Sequence, residues 1–220
     1  MIKRYSKNLV GRDFVVGDIH GAYTKLQEAL NKIGFNPDKD RLFCTGDLVD
    51  RGSESEKAAD WLFKPWFHSV RGNHEQLTID AYDSGKGSDR EYLHQINGGY
   101  WYSCLPNDHR ANIAEVFRTL PYVIEVETNS GLVDIIHAET SVNDWLLFKR
   151  LVEAQDDVTI EQCIWGRSKI KAKDESIVKG VHKVYVGHSI VDNPITLGNV
   201  EYIDTIAWHE TGDFTIKELT

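Results

Sequence analysis

Three short stretches of the 220-residue chain place ligand-type side chains directly behind a glycine. They are Val15-Val16-Gly17-Asp18-Ile19-His20-Gly21, Phe43-Cys44-Thr45-Gly46-Asp47-Leu48-Val49-Asp50-Arg51-Gly52 and Val70-Arg71-Gly72-Asn73-His74-Glu75. Two later apolar runs also end on a histidine, one at His137 and one at Gly187-His188. Together Asp18, His20, Asp47, Asn73, His137 and His188 offer carboxylate, imidazole and amide oxygen. That donor set suits Mn²⁺, Fe or Zn²⁺ and excludes a soft thiolate site. Six protein ligands are too many for one catalytic ion that must keep an open position. They suit two ions about 3.5–4 Å apart with one carboxylate shared between them. Asp47, on the middle strand of three, is the natural bridge. A pair of this kind makes hydroxide available near neutral pH and stabilises the charge that grows on a phosphoryl group in flight.

Such chemistry also needs a proton for the leaving oxygen and donors for the remaining phosphate oxygens. His74, next to Asn73, is placed to supply the proton, and Asp50 can accept a hydrogen bond from its other ring nitrogen. Arg51 and Arg167 are the phosphate-binding candidates, because a guanidinium fork matches phosphate geometry. Asn73 is expected to face the phosphate as well as a metal, and Arg71 stands nearby. Taken singly, an Asp after a strand is a turn residue and a lone His is a core or surface side chain. Recurrence at strand ends beside glycines turns the argument. His68, His94, His109, His182 and His209 lack that setting and are read as ordinary side chains.

The elements that must position these groups are legible in the apolar pattern. Asp13–Gly17, Arg41–Thr45 and Phe67–Arg71 read as buried strands. Between them, Tyr23, Leu26, Leu30 and Ile33 fall at helical spacing, and a second helix runs from Ser55 to the stop at Pro65. Right-handed crossovers make the three strands parallel neighbours in a β-α-β-α-β core, with their carboxyl ends side by side. Glu75–Tyr82 reads as helix, Asp83–Arg90 as loop, and residues 91–120 as helix broken at Gly98-Gly99 and Pro106. Tyr100, Trp101 and Tyr102 are expected to form a satellite core. From Tyr122 the period becomes two, with a turn at Asn129-Ser130-Gly131. Val123–Val126, Leu132–Ile136, Lys183–Val186, Ile195–Leu197, Val200–Ile203 and Phe214–Ile216 read as a second, mainly antiparallel sheet. A mostly helical stretch fills 143–164. No repeat, low-complexity tract or linker interrupts the chain, so residues 1–220 read as one α/β catalytic domain.

Composition bounds the function. The chain is 41% hydrophobic and 27% charged, the balance of a folded protein, with a formal net charge of −9 that argues against a duplex-binding face. No apolar run approaches the ~18–20 residues of a membrane span, and Met1–Lys7 has no signal-peptide core. Cys44, Cys104 and Cys163 are odd in number and widely spaced, which favours a reducing cytoplasm over a disulfide framework. A monomer is the expected state, with neither nucleic acid nor membrane as a partner.

Gly17-Asp18-Ile19-His20-Gly21, Gly46-Asp47-Leu48-Val49-Asp50-Arg51-Gly52 and Gly72-Asn73-His74-Glu75 resemble the three signature segments of the phosphoprotein phosphatase family of metallophosphoesterases. Ile136-His137-Ala138 and Gly187-His188-Ser189 match its two later histidine segments, so the resemblance spans roughly residues 13 to 206. Lys64-Pro65-Trp66-Phe67 and Ile203-Asp204-Thr205 look most like the bacteriophage lambda branch and its bacterial relatives. The resemblance implies a calcineurin-like fold of two face-to-face sheets flanked by helices, with Asp18, His20 and Asp47 on one metal. Asp47, Asn73, His137 and His188 would hold the other, most readily Mn²⁺. His74 would act as general acid paired with Asp50, and Arg51 and Arg167 would clamp phosphate.

Two positions depart from the pattern: Ser189 replaces a common threonine, and Ile206 stands where relatives have glycine, bearing on the pocket wall or the loop behind His188. The implied activity is hydrolysis of phosphoserine and phosphothreonine, with phosphotyrosine as a further candidate, in proteins by direct attack of water held between the metals. A dinucleoside-polyphosphate hydrolase is the alternative and would want Tyr100–Tyr102 as an adenine wall. A metal-dependent phosphoprotein-binding module without turnover is the third reading.

Overall fold

The computed structural model describes residues 1–220 and builds them around two sheets. In the first, β2 (Asp13–Val16), β3 (Arg41–Cys44) and β4 (Phe67–Ser69) are parallel neighbours, and β10 (Ile216–Glu218) runs antiparallel on β2. The crossovers are α1 (Tyr23–Lys32) and, after a 3₁₀ turn at Ser55–Lys57, α2 (Ala58–Leu62). Beyond β4 come α3 (Asn73–Asp83), α4 (Asp89–His94), a π-type turn at Gln95–Gly99, α5 (Tyr100–Ser103) and α6 (Asn107–Arg118).

The second sheet has six strands in the order β1 (Ile2–Tyr5), β5 (Val123–Glu127), β6 (Leu132–Ile135), β7 (Lys183–Val186), β9 (Val200–Tyr202) and β8 (Ile195–Leu197). Helices α7 (Trp145–Glu153), α8 (Asp157–Trp165) and α9 (Ser168–Ala172) connect β6 to β7. Asp144 and Asp156 start α7 and α8 by accepting the amides of Leu147 and Thr159 at 2.9 and 2.8 Å, the N-cap arrangement short polar side chains favour.

The period-two alternation of the strands explains the layers. Val15 and Phe43 point to the seam between the sheets, where they meet Ile124, Val126, Val133, Ile135 and Tyr185 in one buried cluster. Their neighbours Phe14, Val16, Leu42 and Cys44 face the other way onto Tyr23, Leu26, Trp61 and Phe117 from the helices. Strands buried on both faces read as continuous apolar runs, as these do. On the far side of the second sheet, Trp145, Phe148 and Val152 of α7 and Ile164 of α8 cover Val184, Val186 and Tyr202.

Three expectations need correction. The second sheet is mixed rather than mainly antiparallel: β1–β5, β6–β7 and β7–β9 are parallel, and only β5–β6 and β8–β9 are antiparallel. Hairpins are visible as adjacent runs, whereas a parallel pair is joined through distant chain. The C-terminal strand spans Ile216–Glu218 and belongs to the first sheet. Ile2–Tyr5, where no strand was expected, is an edge strand; its two basic side chains hid it, and its partner Val123–Val126 lies over a hundred residues away.

Candidate active site

The carboxyl ends of β2, β3, β4, β6 and β7 converge, and the loops that follow them carry all six expected ligands, every one buried. These loops are unusual in their backbone. His20, Asp47, Asp50, Arg51 and His188 have φ of 44°, 50°, 71°, 66° and 61°, five of the eight non-glycine residues with positive φ in the chain. Each pays about 1–2 kcal/mol for that conformation, so strain is concentrated where the ligand side chains are aimed. The adjacent glycines serve close approach. A Cβ on Gly72 would lie 2.2 Å from Asp47 Oδ1, and one on Gly187 would lie 1.9 Å from Asp18 Oδ1.

Two sets of donor atoms gather within 4.8 Å of one another: His20, Asp47 and His74, and Asp47, His137 and His188. Asp47 belongs to both. His137 donates Nδ1–H to the Thr45 carbonyl at 2.8 Å, which turns the lone pair of Nε2 inward. That Nε2 stands 2.8 Å from Asn73 Oδ1, 3.2 Å from His188 Nδ1 and 3.4 Å from Asp47 Oδ1. His20 likewise gives Nδ1–H to the Val49 carbonyl at 2.8 Å and turns Nε2 toward Asp47 Oδ2 at 3.5 Å. Asp18 lies at the side of these sets, its carboxylate accepting the Thr45 hydroxyl at 2.8 Å and the His188 amide at 2.9 Å.

The electrostatics follow from burial. Desolvation, with neighbouring rings, lowers His20 to about 3 and His188 to about 2, and lowers His137, so all three imidazoles are neutral and keep a free lone pair. Burial also pushes the Asp18 carboxyl well above its ordinary value, with Asp204 and Asp47 adding repulsion. Asp47 is pulled down, because the surrounding histidines outweigh its desolvation. Buried carboxylates and neutral imidazoles crowded together, with several acceptors and few protons between them, fit a pair of divalent cations sharing Asp47. Asn73, His137 and His188 gather at Asp47 Oδ1, and His20 and His74 stand at Oδ2.

His74, buried at the start of α3, donates Nδ1–H to Asp50 Oδ2 at 2.6 Å, and its Nε2 receives Arg51 Nη2 at 3.1 Å. Asp47 and Asp50 raise its pKa against the desolvation that lowers it. Arg51 also reaches His20 Nε2 at 2.8 Å and lies 5.5 Å over the Trp208 ring. Arg167 bonds the His188 carbonyl at 3.2 Å. Arg51, Arg167, Lys171 and His188 line a half-open pocket of ≈ 380 Å³ with Ile170 and Ile190. Arg71 is elsewhere: it donates to the Arg118 carbonyl at 2.6 Å and to Tyr122 Oη at 3.0 Å, so it is a structural tie and not a phosphate ligand.

Two contributions were not visible in the sequence reading. Glu75 is a buried clasp whose carboxylate accepts the amides of Gly72, Leu48 and Asp47 at 2.8, 2.8 and 3.0 Å, joining the loops after β3 and β4. Its place three residues after Gly72, as in a capping box, was the available signal. Trp208 stands against Arg51 and the His20 ring, whereas Ile206 faces a separate pocket with Val191 and Phe214. Tyr100–Tyr102 forms no stacking wall. Tyr102 is fully buried with its hydroxyl on the Arg110 carbonyl, Trp101 is turned inward, and Tyr100 alone is exposed.

Residues 14–209 match the family of calcineurin-like phosphoesterases. The chain is 36% identical over 198 residues to serine/threonine-protein phosphatase 2 of Salmonella typhimurium strain LT2, covering 87% of this chain and 86% of that protein. It is 42% identical to a symmetrical bis(5'-nucleosyl)-tetraphosphatase of Chromobacterium violaceum, but over 76 residues, 34% of this chain and 27% of that protein. A solved structure described as a candidate diadenosine tetraphosphatase superposes with a TM-score of 0.69 at 20% identity, covering 99% of this chain and 93% of that one. This last likeness concerns the fold alone.

Proposed function

This chain belongs to the calcineurin-like phosphoesterase family, and from that premise we propose that it is a two-metal phosphoprotein phosphatase acting on phosphoserine and phosphothreonine. The observation that carries the reading is the convergence on Asp47, with His20 at one carboxylate oxygen and His137, beside Asn73 and His188, at the other, next to the buried His74–Asp50 pair and two arginines. The near full-length similarity to a bacterial serine/threonine phosphatase supports the substrate class.

In this reading Asp18, His20 and Asp47 would hold one ion, and Asp47, Asn73, His137 and His188 the other, with Mn²⁺ the preferred metal for so oxygen- and imidazole-rich a set. When bound, the pair would supply an activated water and neutralise phosphoryl oxygens. Thr45 and Val49 carbonyls keep His137 and His20 in the tautomers that present Nε2. Arg51 leaves the His20 and His74 rings to take phosphate oxygens together with Arg167, and Asn73 faces the same oxygens. Once Arg51 has left it, His74, oriented through Nδ1 by Asp50, takes up a proton on Nε2 as the imidazolium and hands that proton to the leaving alkoxide. Phosphorylated proteins are the partners, the three unpaired cysteines fit a reducing cytoplasm of bacterial or phage-infected cells, and the chain works as a monomer.

The dinucleoside-polyphosphate reading has one observation in its favour, the partial similarity to a tetraphosphatase. The inward-turned Trp101 and buried Tyr102 leave it without the adenine wall it needs. A binding module without turnover is disfavoured by a complete acid pair.

The test is phosphate release from p-nitrophenyl phosphate, a phosphoserine peptide and diadenosine tetraphosphate, with chelated protein, Mn²⁺ titrated back and Asp47→Asn alongside. Metal-restored release from the first two, lost in the variant, is expected. Release confined to the dinucleotide would move the substrate class, and none with metal bound would overturn the enzyme reading.

A further inference from the structure

The Asp50 carboxylate receives more than the His74 proton. His94 Nε2 lies 3.0 Å from its Oδ2 and 3.1 Å from Oδ1, and Trp101 Nε1 donates to Oδ1 at 2.7 Å. Asp50 and His94 are both fully buried. The three donors come from three elements: His74 from α3, His94 from the end of α4 and Trp101 from α5.

The direction of the His94 bond is fixed by its other neighbour. Thr78 Oγ1 commits its proton to the His74 carbonyl at 2.9 Å, so it can only accept from His94 Nε2 at 3.2 Å. Asp50 is likewise an acceptor. His94 therefore carries its proton on Nε2 and donates toward both. The backbone is built to permit this contact. A Cβ on Gly99 would lie 2.1 Å from His94 Cδ2, and one on Gly98, whose φ is +105°, would lie 2.7 Å from the Arg51 amide. The π-type turn at Gln95–Gly99 presses α4 and α5 onto the Asp50–Arg51 loop only because both positions lack a side chain.

We infer that His94 and Trp101 are positioning residues for the reaction: they lock the rotation of the Asp50 carboxylate, so that Oδ2 points at His74 Nδ1 and the His74 ring presents Nε2 to the leaving oxygen. A buried carboxylate with one donor can swing about its Cβ–Cγ bond; one gripped on both oxygens cannot, and a general acid works only when its ring is held in place. Neither residue touches substrate. The inference rests on the proposed role of His74 as acid.

The readout is the dependence of turnover on the leaving group. A phosphoserine peptide expels an alkoxide that needs a proton, whereas p-nitrophenyl phosphate expels an anion stable without one. Trp101→Phe keeps the ring and removes the donor, and His94→Gln keeps a donor on a different stem. With Mn²⁺ saturating, Trp101→Phe is expected to lower kcat for the phosphopeptide by about 5–10 times more than for p-nitrophenyl phosphate, with KM little changed, a fraction of the 10²–10⁴ an acid contributes. His94→Gln is expected to show a smaller split than His94→Leu.

Equal losses on both substrates, or none on either, would overturn the inference and leave Trp101 and His94 as packing. His74→Asn is measured in parallel. If it lacks the split, the acid reading fails and the clasp with it; if it shows the split and the Trp101 and His94 variants do not, the clasp alone fails.

Discussion

Ile206 illustrates how a single side chain can be costly without touching the chemistry. It is β-branched and sits at φ 52°, in the left-handed region where a Cβ meets the following carbonyl. It lines a pocket with Val191, Thr205 and Phe214 that shares no residue with the pocket lined by Arg51 and Arg167. Ile206→Gly is therefore expected to raise stability by about 0.5–1 kcal/mol, the relief of the φ penalty less the added chain entropy. Urea unfolding checks this, and a loss above that size would mean that packing against Val191 outweighs the strain. Trp208, two residues on, is the side chain of this segment that reaches the site. Glu75 is the opposite case, a residue that binds nothing and holds three amides of two catalytic loops in one carboxylate.

At the scale of elements, the pairing of β5 with β6 sets two buried acids opposite each other, Glu125 and Asp134. Glu125 is served by Arg4, Trp145 and Lys149 from β1 and α7 and stays charged. Asp134 has no hydrogen-bond partner, and burial, reinforced by Glu125, pushes it up to about 9. The folded chain thus keeps a proton on Asp134 that the unfolded chain releases near the ordinary 3.8. Folding binds the extra proton, so this group's contribution to stability is fully present below about pH 4 and lost as pH rises toward about 9. Asparagine mimics the protonated acid. The thermal midpoint of wild type should fall relative to Asp134→Asn as pH goes from 5 to 8, and parallel curves would show that Asp134 is already ionised or solvated.

Over the whole molecule, the two sheets close on an apolar seam while their strand ends open into one buried polar site. A cluster of carboxylates and neutral imidazoles opposes folding until a cation compensates it, so metal binding should be visible in stability as well as in turnover. With Mn²⁺ at a hundredfold excess over Kd, each site adds ~2.7 kcal/mol to the folded state. Chelation should lower the thermal midpoint of wild type, and Asp47→Asn, which removes the residue common to both donor sets, should abolish most of that difference. A metal-independent midpoint in wild type would contradict the two-ion centre.

The sequence alone made legible the βαβαβ core and the residues that gather at its strand ends. Both are written locally: apolar runs mark strands buried on two faces, and the ligands follow each run within a few positions. It could not place Arg71, whose neighbours Arg118 and Tyr122 are distant in the chain, nor the edge strand Ile2–Tyr5, whose partner is equally remote. It also passed over His94 and Trp101, because nothing beside them in the sequence marks them. Only the tertiary structure, folding α4 and α5 over the loop after β3 through Gly98 and Gly99, brings their N–H groups onto Asp50. Local pattern carries what one strand end does. Contacts between elements far apart in the chain decide which side chain holds it still.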